Sequence, residues 1–198
     1  MNLKNTYYLV RHGECDSNIT NTSDHQGDPT NHLTEKGKSQ VEACTQNLSS
    51  KGVIFEKIIS SPFPRTIETA EILLQYLAIH DKNILHTPLL QEMNHGTHSQ
   101  GEVIISQQEK DSAYEEMHYY HGDGECYWDV RARMLRLIEQ LENSYSNKTL
   151  ILVTHGTPVW MFYSAAHDLN EEQTLAFKRE RKITTGFFIP NAIPFIIN

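Results

Sequence analysis

The sequence predicts an α/β fold, a three-layer sandwich in which a mostly parallel central sheet lies between helices on both faces. Short β-rich runs alternate with longer helical runs, the order that builds parallel sheets. Residues with reactive side chains fall just after the strands, where open α/β sheets bind ligands. The chain has 198 residues with no repeat or low-complexity tract, which fits a single domain over 1–198. That length buries about 70% of the surface an unfolded chain exposes, so no disulfide or metal staple is required.

The elements follow in order. Thr6 to Val10 reads as the first strand. Thr34 is an N-cap, with Glu35 in the first turn, for a helix reaching about Ser50. Lys57 to Ser60 is a short buried strand. Pro64 suits the first position of a helix that continues through the apolar stripe Ala70, Leu73, Leu74 and Leu77. Ile84 to Thr87 is a third strand. Gly101 to Gly124 is polar, with helical propensity around Ser112 to Tyr120 and no assignment beyond that. The stretch from Gln91 to Gly124 is expected to form a lid or subdomain over the strand ends.

The clearest helix comes next, with Val130, Met134, Leu137, Ile138, Leu141 and Tyr145 on one face. That face is core. Arg131, Arg133 and Arg136 read as the helix's solvated side. Thr149 to Val153 is a strand, and Thr157-Pro158 caps and opens a helix to about His167. Ile183 to Ile189 reads as a last strand, while Pro190 and Pro194 make the tail irregular or an edge element.

Charge narrows the function classes. Lys plus Arg is 17 and Asp plus Glu is 25, a net charge of -8. Nucleic acid and anionic membranes reward a basic surface, so neither is expected as partner. An anionic small molecule needs only a local cluster of Arg or His. Three cysteines, Cys15, Cys44 and Cys126, without a CxxC spacing, indicate a reducing compartment, and the chain reads as cytoplasmic. No apolar run has the length of a membrane span. No heptad or apolar patch assigns an oligomeric state.

Four segments carry chemistry. The first strand ends in Arg11-His12-Gly13-Glu14, the second in Ser60-Ser61-Pro62-Phe63-Pro64-Arg65. Glu92 follows the third after a short loop, and the strand at 149–153 ends in Thr154-His155-Gly156-Thr157-Pro158. Parallel strands bring all four to one edge. Two guanidiniums offer forked donors for phosphate oxygens. The helix N-terminus after His155 adds backbone N–H groups. Glycine after each histidine is expected to leave room for a ligand. Nearby arginines lower an imidazole's pKa and keep it neutral at pH 7, so that it can attack phosphorus. A carboxylic acid can protonate the leaving oxygen. This inventory fits phosphoryl transfer through a phosphohistidine, with no cofactor and no metal required.

The same residues resemble the histidine phosphatase superfamily, in its phosphoglycerate-mutase-like branch. Tyr8-Leu9-Val10-Arg11-His12-Gly13-Glu14 with Asn18 resembles that family's opening motif. Gln26-Gly27 with Leu33-Thr34-Glu35-Lys36-Gly37 and Gln40 resembles its second block, and Ser60-Ser61-Pro62, Arg65 and Thr69-Ala70 its third. Glu92 with Gly96, Gly124-Glu125, and Val153-Thr154-His155-Gly156 complete the order. The resemblance implies a phosphoglycerate-mutase-like fold. It implies that His12 is the nucleophile, that Arg11, Arg65 and His155 hold the phosphoryl group, and that Glu92 is the proton donor. Glu14 and Glu102 are the alternative carboxylates. Asn18 and Gly156 are candidate substrate contacts, and Gln26 and Gly27 lie on a loop bordering the pocket. Cys15, Cys126 and Pro64 depart from the residues usual at their positions.

The expected activity is metal-independent hydrolysis of a small-molecule phosphomonoester, with inorganic phosphate as product. Phosphoglycerate-mutase-type transfer, a non-catalytic phosphate- or phosphoprotein-binding module, and a protein phosphohistidine phosphatase are the alternatives. His95 and His98, like His118 and His121, have a spacing that zinc sites use, but they lie in polar stretches without a Cys pair and read as solvated.

Overall fold

The computed structural model describes residues 1–20, 27–96, 117–118, 123–185 and 189–198. In chain order the elements are β1 (Thr6–Arg11), α1 (Asp16–Thr20), α2 (Glu35–Ser50), β2 (Lys57–Ser60), α3 (Pro64–Tyr76) and β3 (Leu85–His86). A 3-10 turn (Pro88–Leu90) follows, then α4 (Tyr127–Ser144), β4 (Thr149–Thr154), α5 (Gly156–Ala166), α6 (Glu171–Thr185) and β5 (Pro194–Ile197).

Among the described residues the sheet has five strands in the order β3-β2-β4-β1-β5. The first four run parallel, with Ser60 opposite Val153 and Arg11 opposite Thr154. Only β5 is antiparallel, pairing Val10 with Pro194 at the sheet's edge. Alternation along the strands sorts side chains between two cores. Tyr7, Leu9, Ile59, Leu150 and Leu152 pack under α4 and α5. Tyr8, Val10, Ile58, Ile151 and Val153 pack under α2 and α3. With both faces covered, Tyr7 to Val10 and Leu150 to Val153 are buried without a break, as expected of parallel strands.

Local chemistry sets the helix starts. The Thr34 hydroxyl accepts the Gly37 N–H at 3.0 Å, so α2 begins where its N-cap predicts. Pro64 occupies the first turn of α3. The Asp129 carboxylate accepts the Cys126 N–H at 3.0 Å and closes the first turn of α4, whose Val130, Met134, Leu137, Ile138 and Leu141 are buried as their spacing predicts.

Several expectations are corrected. Ile183 to Ile189 is not a strand: α6 runs through Thr185, and 186–188 lie outside the described residues. The helix is set at its start, where Asn170 N–H donates to Gln173 Oε1 at 3.0 Å and Gln173 N–H returns to Asn170 Oδ1 at 2.9 Å. The weak helix preference of the β-branched Ile183-Thr184-Thr185 does not stop a helix already nucleated. The last strand is β5, the edge element expected around Pro194. Strand β3 is only Leu85–His86, and α5 starts at Gly156 with His155 as N-cap rather than at Thr157.

Two arginines of α4 are not solvated. Arg133 is 6% exposed and ion-paired with Glu125. Arg131 lies over the Trp128 ring and donates to Ser164 and Asp168. Most of the segment 91–124 expected as a lid, Ser112 to Tyr120 largely included, lies outside the described residues. Among the described residues no helix is long and apolar enough to cross a membrane.

Candidate active site

The parallel register brings the ends of β1, β2 and β4 level, and the following residues cluster. His12 continues from β1, its N–H donating to Thr154 O at 3.0 Å, and Ser61 N–H donates to Val153 O at 3.0 Å. The ring centroids of His12 and His155 are 5.2 Å apart. His12, Ser61, Arg65 and His155 are all buried. Burying so much polar surface is tolerable only if it is hydrogen-bonded or kept for a ligand.

Hydrogen bonding fixes the His12 tautomer. Its Nδ1 lies 2.7 Å from Gly13 O, and a carbonyl can only accept, so Nδ1 carries the proton. Its Nε2 accepts the Arg65 Nε–H at 3.3 Å, which leaves the Nε2 lone pair facing a guanidinium. Burial pushes the His12 pKa well below its ordinary value, and the positive charges of Arg11 and Arg65 push it the same way against the Gly13 hydrogen bond. His12 is therefore a neutral imidazole with its lone pair in the site.

His155 is also held neutral, by burial first and then by Arg65, His12, Arg11 and Arg133. Its Nε2 is 2.9 Å from Ser61 Oγ. Its Nδ1 is buried with no hydrogen-bond partner among the described residues, and so is Arg11 Nε. Arg11 Nη1 donates to Ile189 O at 2.8 Å. Two such nitrogens beside a histidine–arginine pair fit the lining of an anion-binding pocket. The Phe63 ring closes one side, 5.2 Å from the His155 ring and 5.1 Å from Arg65 Cζ.

Glu92 joins this cluster. Its carboxylate is half-buried against the N-terminus of α5, where Thr157 N–H reaches Oε1 at 3.2 Å and Oε2 at 3.4 Å. Met93 N–H donates to Oε1 at 2.8 Å, and the Glu92 charge favours the Arg11 guanidinium. Of the alternative carboxylates, Glu14 is committed to Lys36 and Thr34 at the start of α2, and Glu102 lies outside the described residues.

The remaining candidates divide. Gly156 adjoins Glu92: a Cβ there would sit 3.7 Å from Oε2. Gly27 reaches the site through Phe63. It has φ +76, and a Cβ would be 2.3 Å from that ring. Asn18 is exposed on α1 and accepts from Cys15 N–H and from Asn191 Nδ2, both at 3.3 Å. Gln26 lies outside the described residues, as do His98 and His121. His118 pairs with Glu171. Among the described residues no three His, Cys, Asp or Glu gather as a metal-ligand set.

Gly13 serves packing rather than ligand approach, against expectation. A Cβ there would lie 2.5 Å from Gly37 O, and one on Gly37 would lie 1.9 Å from Glu14 O. The two glycines let α2 press backbone to backbone against the His12 loop. Cys15 is a buried thiol hydrogen-bonded to Ser17 and Asn18. Sequence reasoning missed two partners. Ser61, directly after β2, was open to the same strand-end rule that picks out His12. Asn191, whose Nδ2 donates to His12 O at 2.8 Å, carries no local signal.

The mostly parallel sheet with helices on both faces is a phosphoglycerate-mutase-like histidine phosphatase fold. The chain belongs to the histidine phosphatase superfamily (branch 1), whose family model matches residues 7–183. A 2,3-bisphosphoglycerate-dependent phosphoglycerate mutase of Bartonella henselae is 26% identical over 191 residues, spanning 93% of this chain and 90% of that protein. Among solved structures, Bacillus stearothermophilus YhfR matches with a TM-score of 0.77 at 24% identity, over 98% of this chain and 91% of that one. A mycobacterial glucosyl-3-phosphoglycerate phosphatase, solved with VO3, matches with a TM-score of 0.75 at 23% identity, over 86% of this chain and 84% of that one.

Proposed function

We propose that the protein is a metal-independent phosphatase that hydrolyses phosphomonoesters of a small molecule through a phosphohistidine. The observation that carries this reading is the tautomer of His12. Gly13 O holds the proton on Nδ1 and leaves Nε2 as a lone pair facing Arg65.

The chemistry runs in two displacements. The ester's phosphoryl oxygens take the donors of Arg11, Arg65 and His155; among the described residues His155 Nδ1 and Arg11 Nε have no partner. His12 Nε2 forms a bond to phosphorus as the P–O ester bond breaks, and protonated Glu92 gives its proton to the leaving oxygen. Water then attacks phosphorus, Glu92 takes its proton, and the P–N bond breaks. Inorganic phosphate leaves, and His12 regains its lone pair. Gly13 O steadies the Nδ1–H through both steps.

Phosphoryl transfer within a phosphoglycerate uses the same groups, and the relative that matches over 93% of this chain bears a mutase name. Insertion length between the acid and the second histidine does not separate the two activities, since that mutase aligns over 191 residues spanning 93% of this chain and 90% of its own. Hydrolysis is preferred on the likeness to a glucosyl-3-phosphoglycerate phosphatase.

The test is hydrolysis of p-nitrophenyl phosphate in excess EDTA by wild type and His12→Ala. Activity that survives EDTA and vanishes in His12→Ala supports the reading. Turnover of a phosphoglycerate only in the presence of its bisphosphate points to the mutase. Phosphate binding without turnover of any phosphomonoester leaves a binding module.

A further inference from the structure

The backbone on both sides of Glu92 is tied to one ion pair. Leu89, in the 3-10 turn, precedes it and Asn94 follows it. The Arg133 guanidinium on α4 donates Nη1–H to Leu89 O at 2.6 Å. Its Nε and Nη2 donate to Oε1 and Oε2 of Glu125 at 2.9 and 3.2 Å. Glu125 in turn accepts the Asn94 N–H on Oε2 at 2.9 Å and donates its own N–H to Asn94 O at 2.6 Å. Gly124 permits this approach, since a Cβ there would sit 2.2 Å from Asn94 O.

An ion pair with its cation buried is a weak way to gain stability, because desolvation offsets much of the attraction. What Arg133 adds is direction. Its planar fork spends one edge on Glu125 and another nitrogen on Leu89, which a lysine or an apolar side chain cannot do at once. We propose that Arg133, acting with Glu125, is a positioning residue that sets the Glu92 carboxylate against the N-terminus of α5. This rests on Glu92 being the proton donor of the preceding section.

A misplaced acid has a signature that a loosened fold lacks. Protonation matters in proportion to the basicity of the leaving oxygen. The weakly basic p-nitrophenolate leaves with little help, whereas an alkoxide needs the proton. The experiment measures kcat/KM for p-nitrophenyl, phenyl and alkyl phosphates in wild type, Glu92→Gln, Arg133→Lys and Glu125→Gln. Inhibition by inorganic phosphate and thermal melting are followed in parallel. Where Arg133→Lys does not fold, Glu125→Gln carries the test, since that side chain is partly exposed.

The expected result is that Arg133→Lys and Glu125→Gln lose about tenfold more on alkyl than on p-nitrophenyl phosphate, part of the range a general acid contributes. Their phosphate inhibition should stay within about twofold of wild type, because Arg11, Arg65 and the histidines keep their places. Leaving-group sensitivity in Glu92→Gln but in neither partner variant overturns the positioning role. Equal losses on all substrates, with weakened phosphate inhibition, also overturn it, by showing a structural role for the whole site. Unchanged sensitivity in Glu92→Gln itself refutes the reading of Glu92 and not merely that of Arg133.

Discussion

Arg65 donates its Nε–H to Nε2 of His12 across 3.3 Å, a cation facing an imidazole lone pair. Such a contact requires a neutral histidine protonated on Nδ1, and the Gly13 carbonyl at 2.7 Å secures that proton. A shorter side chain breaks the arrangement. On the proposed mechanism Arg65→Lys removes the fork that holds both the imidazole and the phosphoryl group, and should lower kcat by about 10²–10³-fold. Steady-state kinetics on p-nitrophenyl phosphate check this, and a loss below threefold would count against it.

An anion bound by Arg11, Arg65 and the two histidines should stabilise the fold. Inorganic phosphate at about 100 times its Kd adds about 2.7 kcal/mol of stability. In a chain of this size that raises Tm by about 5–10 °C. Arg11→Met should abolish most of the shift; because it also removes the Nη1 donor to Ile189 O, the comparison is between each protein's own melting with and without phosphate. Melting curves with and without phosphate decide the matter.

Stability should depend on pH through the two buried imidazoles. Both are held neutral, with pKa values well below the ordinary 6.5, by burial first and by neighbouring cations second. Below pH 6.5 the unfolded chain takes up protons on them that the folded chain refuses. Stability therefore rises with pH in that window: it is present above pH 6.5 and lost as pH falls toward the folded values. Each histidine contributes a slope of about 1.4 kcal/mol per pH unit. Urea titrations between pH 5 and 8 should show a shallower slope in His155→Asn than in wild type. Identical slopes would contradict the neutral burial of His155.

Gly13→Ala should destabilise the fold by about 1–3 kcal/mol through overpacking, because its Cβ would meet the Gly37 carbonyl at 2.5 Å. Since α2 must then move off the His12 loop, activity should fall with it. Urea unfolding measures the first effect, and a variant as stable as wild type would contradict the packing role.

Much of this site was legible because parallel strands obey a simple rule. Once β1, β2 and β4 are placed, His12, Arg65 and His155 must share an edge, however far apart they lie in sequence. The amphipathic faces of α3 and α4 were legible for a similar reason, from the 3–4 spacing of their apolar residues. What escaped depends on contacts that one residue's neighbourhood does not encode. Arg133 reads as solvated because its partners, Leu89 and Glu125, lie outside its own helix. Ile183-Thr184-Thr185 reads as strand because local preference says nothing of a helix begun at Glu171. Gly13 invites a ligand explanation until Gly37 is found against it.

The most direct measurement is capture of the intermediate. Enzyme quenched into alkali while turning over a phosphomonoester should retain phosphate as a phosphoimidazole, which survives base. Mapping should place it on Nε2 of His12, and His12→Ala should retain none. Turnover that leaves no phosphoryl group on His12, or places it on another residue, would contradict the account at its centre.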